Sequence, residues 1–338
     1  MLTVESYASQ GVVTLLENNT IGTPGESILY KHKTTPQKLA TIGKHHFVSL
    51  TRGENVFGTA CLCRRQIFLK NQPQEALYIR YFTVNEKYRR KGAKSQWKLK
   101  GRLKQEIQAL LEGKLLENSD QAMFYAYVDP ENERSARICA GFGFQRVGSF
   151  VTNTFSRIYL RKHPGVTKAK SKEILQEAKL HQHFESFDFF FPEYVQEFYV
   201  LRKGQEILAY AHAQKDNWEI LSLPGKSGKF MLQILPKVPL LGRLFSRDYH
   251  FARIDTVFCK PGQEKQLERL FTHILADLGV YSALIPVATE GKLQQQLQKI
   301  NLGLLAKFSN NKPIDLIAKN IPVKLKINDF YIASFDIT

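Results

Sequence analysis

The residues best equipped for chemistry lie in the run Val84-Asn85-Glu86-Lys87-Tyr88-Arg89-Arg90-Lys91-Gly92-Ala93-Lys94-Ser95. Arginines and lysines surround one glycine, with an apolar β-like run before them and an amphipathic run after. A strand, a basic glycine loop and then a helix set outward-pointing N–H groups and the positive end of a helix dipole beside several cations, which suits a pyrophosphate. Basic residues in such numbers are also what a solvated helix face carries. The elements on either side give this run its meaning.

Phe47–Leu50, Val56–Leu62, Leu77–Val84, Met123–Val128 and Phe155–Leu160 read as strands, being short and rich in β-branched or aromatic residues. Leu99, Leu103, Ile107, Leu110 and Leu111 share one helical face, predicting a helix from Ser95 to about Leu111 with Gly101 inside it. A second helix is expected to start at an Asp129 cap with Pro130 in its first turn, and to stop at Gly141. The polar, basic stretch from Lys162 to Lys172 reads as a linker, which divides the chain into a domain over 1–163, a linker over 164–172 and a domain over 173–338. The second half repeats the order of the first: Ile254–Phe258, a loop Lys260–Glu264, a helix Lys265–Leu278, a strand Ser282–Val287 and a helix Lys292–Ile300. In that alignment Thr256-Val257 falls on Thr83-Val84, and Gly303-Leu304 on Gly143-Phe144. The second loop lacks the arginine pair and contains Pro261, which offers no N–H, so a second cofactor loop is not expected there.

The first loop resembles the acyl-CoA-binding motif of the GCN5-related N-acetyltransferase (GNAT) superfamily, Gln/Arg-x-x-Gly-x-Gly/Ala. Arg89, Gly92 and the helix start at Ser95 match, while Lys94 stands where the family carries a small residue. Asn132 to Phe144 is similar to a second family element, Asn-x-x-Ala-x-x-x-Tyr-x-x-x-Gly-Phe. Asn132, Gly143 and Phe144 match, Ala136 is one place late, and Cys139 holds the tyrosine's position. The resemblance is specific over residues 77–145 and weakens in the second half. It implies an α+β fold, a three-layer αβα arrangement of a mixed, mostly antiparallel twisted sheet flanked by helices, duplicated, with a degenerate second copy. It also implies transfer of an acyl group, most simply acetyl from acetyl-CoA, to an amine, without a metal. By the same resemblance Phe82, Thr83 and Val84 offer backbone contacts to pantetheine and the thioester carbonyl. The loop residues Arg89, Arg90, Lys91, Gly92, Ala93, Lys94 and Ser95 would hold the pyrophosphate, and Asn132 would lie near the pantetheine arm. Glu75 is the candidate base, and Tyr125, Tyr127 and Tyr88 are candidate acids. Cys139 has a thiol that can donate a proton but is shorter than a phenol, and its expected role is packing.

A chain of 338 residues suits two domains. With 48 Lys plus Arg against 31 Asp plus Glu, a formal charge of +17 favours polyanionic partners: CoA, RNA, an acidic carrier protein or an anionic membrane. The resemblance implies an amine-bearing small molecule or peptide as acceptor, and the competing classes are a non-catalytic acyl-CoA-binding or regulatory module and an acyltransferase acting on RNA or an acidic carrier protein. Four cysteines, with Cys61 and Cys63 expected in the core, make neither a disulfide framework nor a zinc site. The start of the sequence does not resemble a signal peptide and no run approaches the ~18 apolar residues of a membrane helix, so a cytoplasmic protein is expected. Met231 to Phe245 is apolar, proline-broken and basic, and reads as a buried connection, a membrane-surface contact or a lid.

Overall fold

The computed structural model describes residues 1–69, 72–85, 101–116, 122–170, 173–174, 186–188, 196–309, 311–321 and 327–334. The first half contains β1 (Leu2–Glu5), α1 (Gln10–Glu17), β2 (Leu29–His32), α2 (Thr35–Ala40), β3 (His45–Arg52), β4 (Asn55–Leu69), β5 (Gln72–Val84), α3 (Arg102–Leu111), β6 (Met123–Val128), α4 (Glu133–Gly141) and β7 (Gln145–Ser156). The second half contains β8 (Val166–Lys170), β9 (Ser186–Asp188), β10 (Glu197–Lys203), β11 (Glu206–Ser222), α5 (Gly228–Ile234), β12 (Asp248–Cys259), α6 (Lys265–Leu278), β13 (Ser282–Ala288), α7 (Lys292–Leu297) and β14 (Ile314–Lys319).

One sheet runs through both halves in the order β1-β3-β4-β5-β6-β14-β7-β13-β12-β11-β10-β8, with β2 added to β11 and β9 to β4. Among the described pairings β5/β6 and β12/β13 are parallel and the others antiparallel. The centre of the sheet is palindromic. A parallel pair is followed by the strand from the opposite half on each side: β14 pairs with β6, and β7 pairs with β13. β7 and β14 then pair with each other, Phe150 against Ile314 and Gln145 against Ala318. The two halves are therefore copies that have exchanged their closing strands.

Sequence alternation explains these elements. Along β5, Ala76 and Tyr78 face one core while Leu77 and Ile79 face another, as expected of a strand buried on both faces. Helix α6 buries Leu267, Leu270, Phe271, Ile274 and Leu275, an i, i+3, i+4, i+7, i+8 stripe, and ends at Gly279 in the left-handed conformation. Helix α1 covers one face of β4 and β5, whereas α3 and α4 contribute to the cluster on the other. The central core joins both halves: Cys61, Tyr78 and Tyr125 pack in the same cluster as Phe198, Tyr210 and the segment from Phe330 to Ala333.

Several expectations need correction. Of the helix expected from Ser95 to Leu111, Arg102–Leu111 is α3 and Gly101, with φ +70°, interrupts the expected run, since a helix interior cannot contain that conformation, while residues 95–100 lie outside the described residues. Asp129 does not cap α4. It accepts from the Glu131 N–H in a turn, and Asn132 is the cap, its Oδ1 accepting from the Ser135 N–H at 3.1 Å. The fifth expected strand is β7, which starts at Gln145 and ends at Ser156. Residues 166–170 of the expected linker are strand β8, paired with β10 from Lys170↔Glu197 to Val166↔Leu201. The sheet does not respect a boundary at residue 163 either, since β2 joins the second half and β14 the first.

Asp277 on α6 ties the start of this stretch down. Its carboxylate accepts from Lys162 at 2.9 Å and Tyr199 at 2.9 Å, and Lys168 lies 3.0 Å away. Hydrogen bonds from Lys162 and Lys168 hold its pKa well below the usual carboxylate range. A depressed folded-state pKa contributes stability that is complete above the unfolded value of ~3.9 and is lost as pH falls through the folded one. Asp277→Asn is therefore expected to flatten the fall of melting temperature between about pH 4 and pH 2. An acid limb identical to that of the parent protein would rule the contact out as a stabilising one.

Candidate functional site

The most distinctive local geometry lies where each parallel pair separates. The β5/β6 ladder runs Ala76↔Met123, Leu77↔Phe124, Tyr78↔Tyr125 and stops there among the described residues, although β5 continues to Val84 and β6 to Val128. Just beyond the fork β5 carries a bulge. Arg80 pairs with Cys61 and Thr83 with Thr59, so Tyr81 and Phe82 together oppose Ala60. Tyr81 has φ +54°, which is unusual for a bulky residue. The second half repeats the device: the β12/β13 ladder covers Ala252↔Ala283 and Arg253↔Leu284, and Thr256, with φ +49°, and Val257 oppose Ala211. The bulges thus align Thr256-Val257 with Tyr81-Phe82, not with Thr83-Val84 as the sequence comparison had it.

The two forks differ in what fills them. In the second, the chain's own segment Asp329–Ile332 lies against Asp255, Thr256 and Val257 on one side and Pro286, Val287 and Ala288 on the other, leaving a cavity of about 20 Å³. Tyr331 shares a 2.9 Å hydroxyl hydrogen bond with Thr256, while the Ser334 N–H and Oγ both donate to Asp255 Oδ2 at 2.8 Å. His212 Nδ1 lies 2.7 Å from the other Asp255 oxygen. Although burial opposes it, the His212 and Ser334 contacts keep the Asp255 carboxyl below its ordinary range. At the loop before α6, Lys299 donates to the Glu264 carboxylate at 2.9 Å, and this contact, followed by the backbone N–H of Glu264, holds that carboxyl below its ordinary range.

In the first fork Phe82 is 57% exposed beside buried Thr83 and Val84. The Thr83 hydroxyl donates to Asn19 Oδ1 at 2.8 Å, tying β5 to the turn after α1. Tyr125 is buried at the apex, and Tyr127 lies past the last ladder pair, within the fork. Their rings pack with Tyr78 and Phe150: Tyr78–Tyr125 centroids are 5.1 Å apart, Tyr78–Tyr127 5.2 Å and Tyr127–Phe150 4.9 Å. Asn132, capping α4, follows β6 by four residues. The loop residues Arg89, Arg90, Lys91, Gly92, Ala93, Lys94 and Ser95, and Tyr88, lie outside the described residues.

Two sequence candidates stand away from the fork. Glu75 precedes the ladder and lies seven residues, or ~23 Å of extended strand, from Phe82. It makes a 2.8 Å ion pair with Arg64 and lines a separate cavity of about 550 Å³ with Lys44, His46 and Leu115. Glu75 and the bulge therefore stand at opposite ends of β5. Cys139 packs from α4 onto the cluster containing Leu110 and Phe142, and burial pushes its thiol pKa up to about 11. Cys61 and Cys63 are fully buried with sulfurs 3.7 Å apart. Tyr81 escaped sequence reasoning because nothing in the sequence marks a bulge. Burial pushes its phenol up to about 12, and the Arg80 guanidinium lies 4.4 Å from its ring centre.

Two forked parallel pairs, a bulge beside each and an exchange of closing strands define a tandem GNAT-like fold. The search of solved structures places the chain beside Saccharomyces cerevisiae N-myristoyltransferase with bound myristoyl-CoA. One such structure has a TM-score of 0.60 at 10% identity, covering 99% of this chain and 83% of that one. Another has a TM-score of 0.59 at 11% identity, covering 94% and 82%. A GCN5-related N-acetyltransferase from Anabaena variabilis matches at a TM-score of 0.48 and 11% identity, over 96% of this chain and 74% of that one. No family model and no curated protein sequence matches.

Proposed function

We propose that the protein is an acyl-CoA-dependent N-acyltransferase whose first half binds the thioester in the β5/β6 fork and whose second half supports an amine acceptor. The observation that carries this reading is the contrast between the forks: the second is filled by residues 329–332, whereas the first presents Phe82 to solvent. In this reading β5, from Phe82 to Val84, lines one side of the pantetheine arm, Asn132 stands on the other, and the Arg89–Ser95 loop takes the pyrophosphate. Acyl transfer needs a neutral amine held against the carbonyl and donors where the tetrahedral oxyanion forms. Backbone groups beside the Tyr81 bulge are the proposed donors, and Tyr127 is the proposed acid for the departing thiolate. The acyl group is acetyl in the simplest case. The fold neighbour's bound myristoyl-CoA is the reason to include long chains.

Thermal denaturation with free CoA, acetyl-CoA and myristoyl-CoA, followed by thiol release against amines and peptides, tests the proposal. Ligand at one hundred times its dissociation constant stabilises by ~2.7 kcal/mol, a readily measured shift. No shift with any of the three ligands sinks the cofactor assignment. A shift without thiol release across the acceptor panel supports the binding-module reading instead.

A further inference from the structure

We infer that the segment from Lys226 to Arg247 is a docking surface for an anionic lipid bilayer. Helix α5 is held to the body by Leu232, which packs with Trp218, Ile220 and Phe251. Phe230, Met231 and Ile234 lie on its other side, at i, i+1 and i+4, and are 63%, 38% and 42% exposed. The chain then turns tightly. Gly242 passes so close to the Pro236 carbonyl that a Cβ would sit 2.4 Å from its oxygen, and Leu240 takes φ +67°. A left-handed leucine is a strained arrangement, and it presents an apolar side chain that is 42% exposed.

Charge identifies the occupant. Between Glu219 and Asp248 the chain carries Lys226, Lys229, Lys237, Arg243 and Arg247 and no acidic residue. Arg243 is fixed in place by donating to the Ile158 carbonyl at 2.9 Å. Apolar side chains standing out of a basic surroundings match the two layers of an anionic membrane interface, acyl boundary and headgroup. Among the described residues no helix is long and apolar enough to cross a membrane, so the contact is with the surface. The inference is independent of the catalytic reading, since it uses none of the fork residues.

Flotation of the full chain with vesicles of pure phosphatidylcholine, and with vesicles containing phosphatidylserine, tests it at low and high salt. Binding is expected to the anionic vesicles and to weaken with salt. Phe230→Ser combined with Ile234→Ser, and separately Lys229→Glu combined with Lys237→Glu, should each weaken it by ~10-fold or more with the melting temperature unchanged. Absence of vesicle binding overturns the proposal, as does binding that both double variants retain. Equal binding to soluble polyglutamate that survives Phe230→Ser/Ile234→Ser overturns it in favour of an acidic macromolecule.

Discussion

Asp216→Ala is expected to cost the protein about 3–5 kcal/mol of stability, the penalty of leaving buried cations without their carboxylate. Asp216 Oδ2 lies 2.8 Å from Lys38 Nζ and 3.0 Å from Arg253 Nε, with all three side chains at most 6% exposed. Its other oxygen accepts from the Asn217 N–H at 2.8 Å and the Thr34 hydroxyl at 3.3 Å. Although burial opposes ionisation, Arg253 and then Lys38 hold the carboxyl below its usual range. Burial draws Lys38 down to about 7 against the attraction of Asp216. With a folded pKa below the unfolded ~10.4, the folded state binds fewer protons between about pH 7 and 10, so the Lys38 contribution to stability rises with pH across that window and is level below it. In the variant Lys38 sheds its proton more readily, and the loss measured by urea unfolding should be smaller at pH 9 than at pH 6. A loss under about 1 kcal/mol at pH 6 would show that the cluster is well solvated.

Tyr127→Phe is expected to lower kcat by ~10²-fold or more with acyl-CoA binding unchanged, the usual range for removing a general acid. The substitution keeps the ring that packs on Tyr78 and Phe150, so folding is not at stake. Cys139→Ala is the matched comparison. A thiol raised to about 11 by burial is a weak proton donor at neutral pH, and the variant should keep most of its activity. Rates measured under saturating acyl-CoA decide between them. Full activity in Tyr127→Phe transfers the role to Tyr88, Tyr81 or water, and a collapse in Cys139→Ala makes the thiol a participant.

Much of this architecture could be read from local sequence. β6 coincides with the expected Met123–Val128, and α6 with Lys265–Leu278, because alternation and a helical stripe are both contained within a few residues. β8 escaped because it is an edge strand bearing Lys168 and Lys170, and lysines that discourage edge pairing look like linker composition. The strand exchange escaped for a different reason: whether β14 closes its own half or the other depends on long-range pairing that Ile314–Lys319 does not encode locally. The Lys38, Asp216 and Arg253 cluster was hidden likewise, each residue lying in an ordinary polar context far from the others in sequence. The internal alignment was two positions out because the bulges that set the true register, Tyr81-Phe82 and Thr256-Val257, have no composition of their own to mark them.

The exchange of β7 and β14 bears on how the chain must be made. During synthesis the first half emerges with β6 and β7 in place but without the strand that belongs between them, and that gap persists while almost all of the second half is translated. An open apolar seam between two strands invites pairing with other chains. Neither half can finish folding as a separate unit, so the order of events runs against the usual expectation that an N-terminal domain is complete before its successor appears.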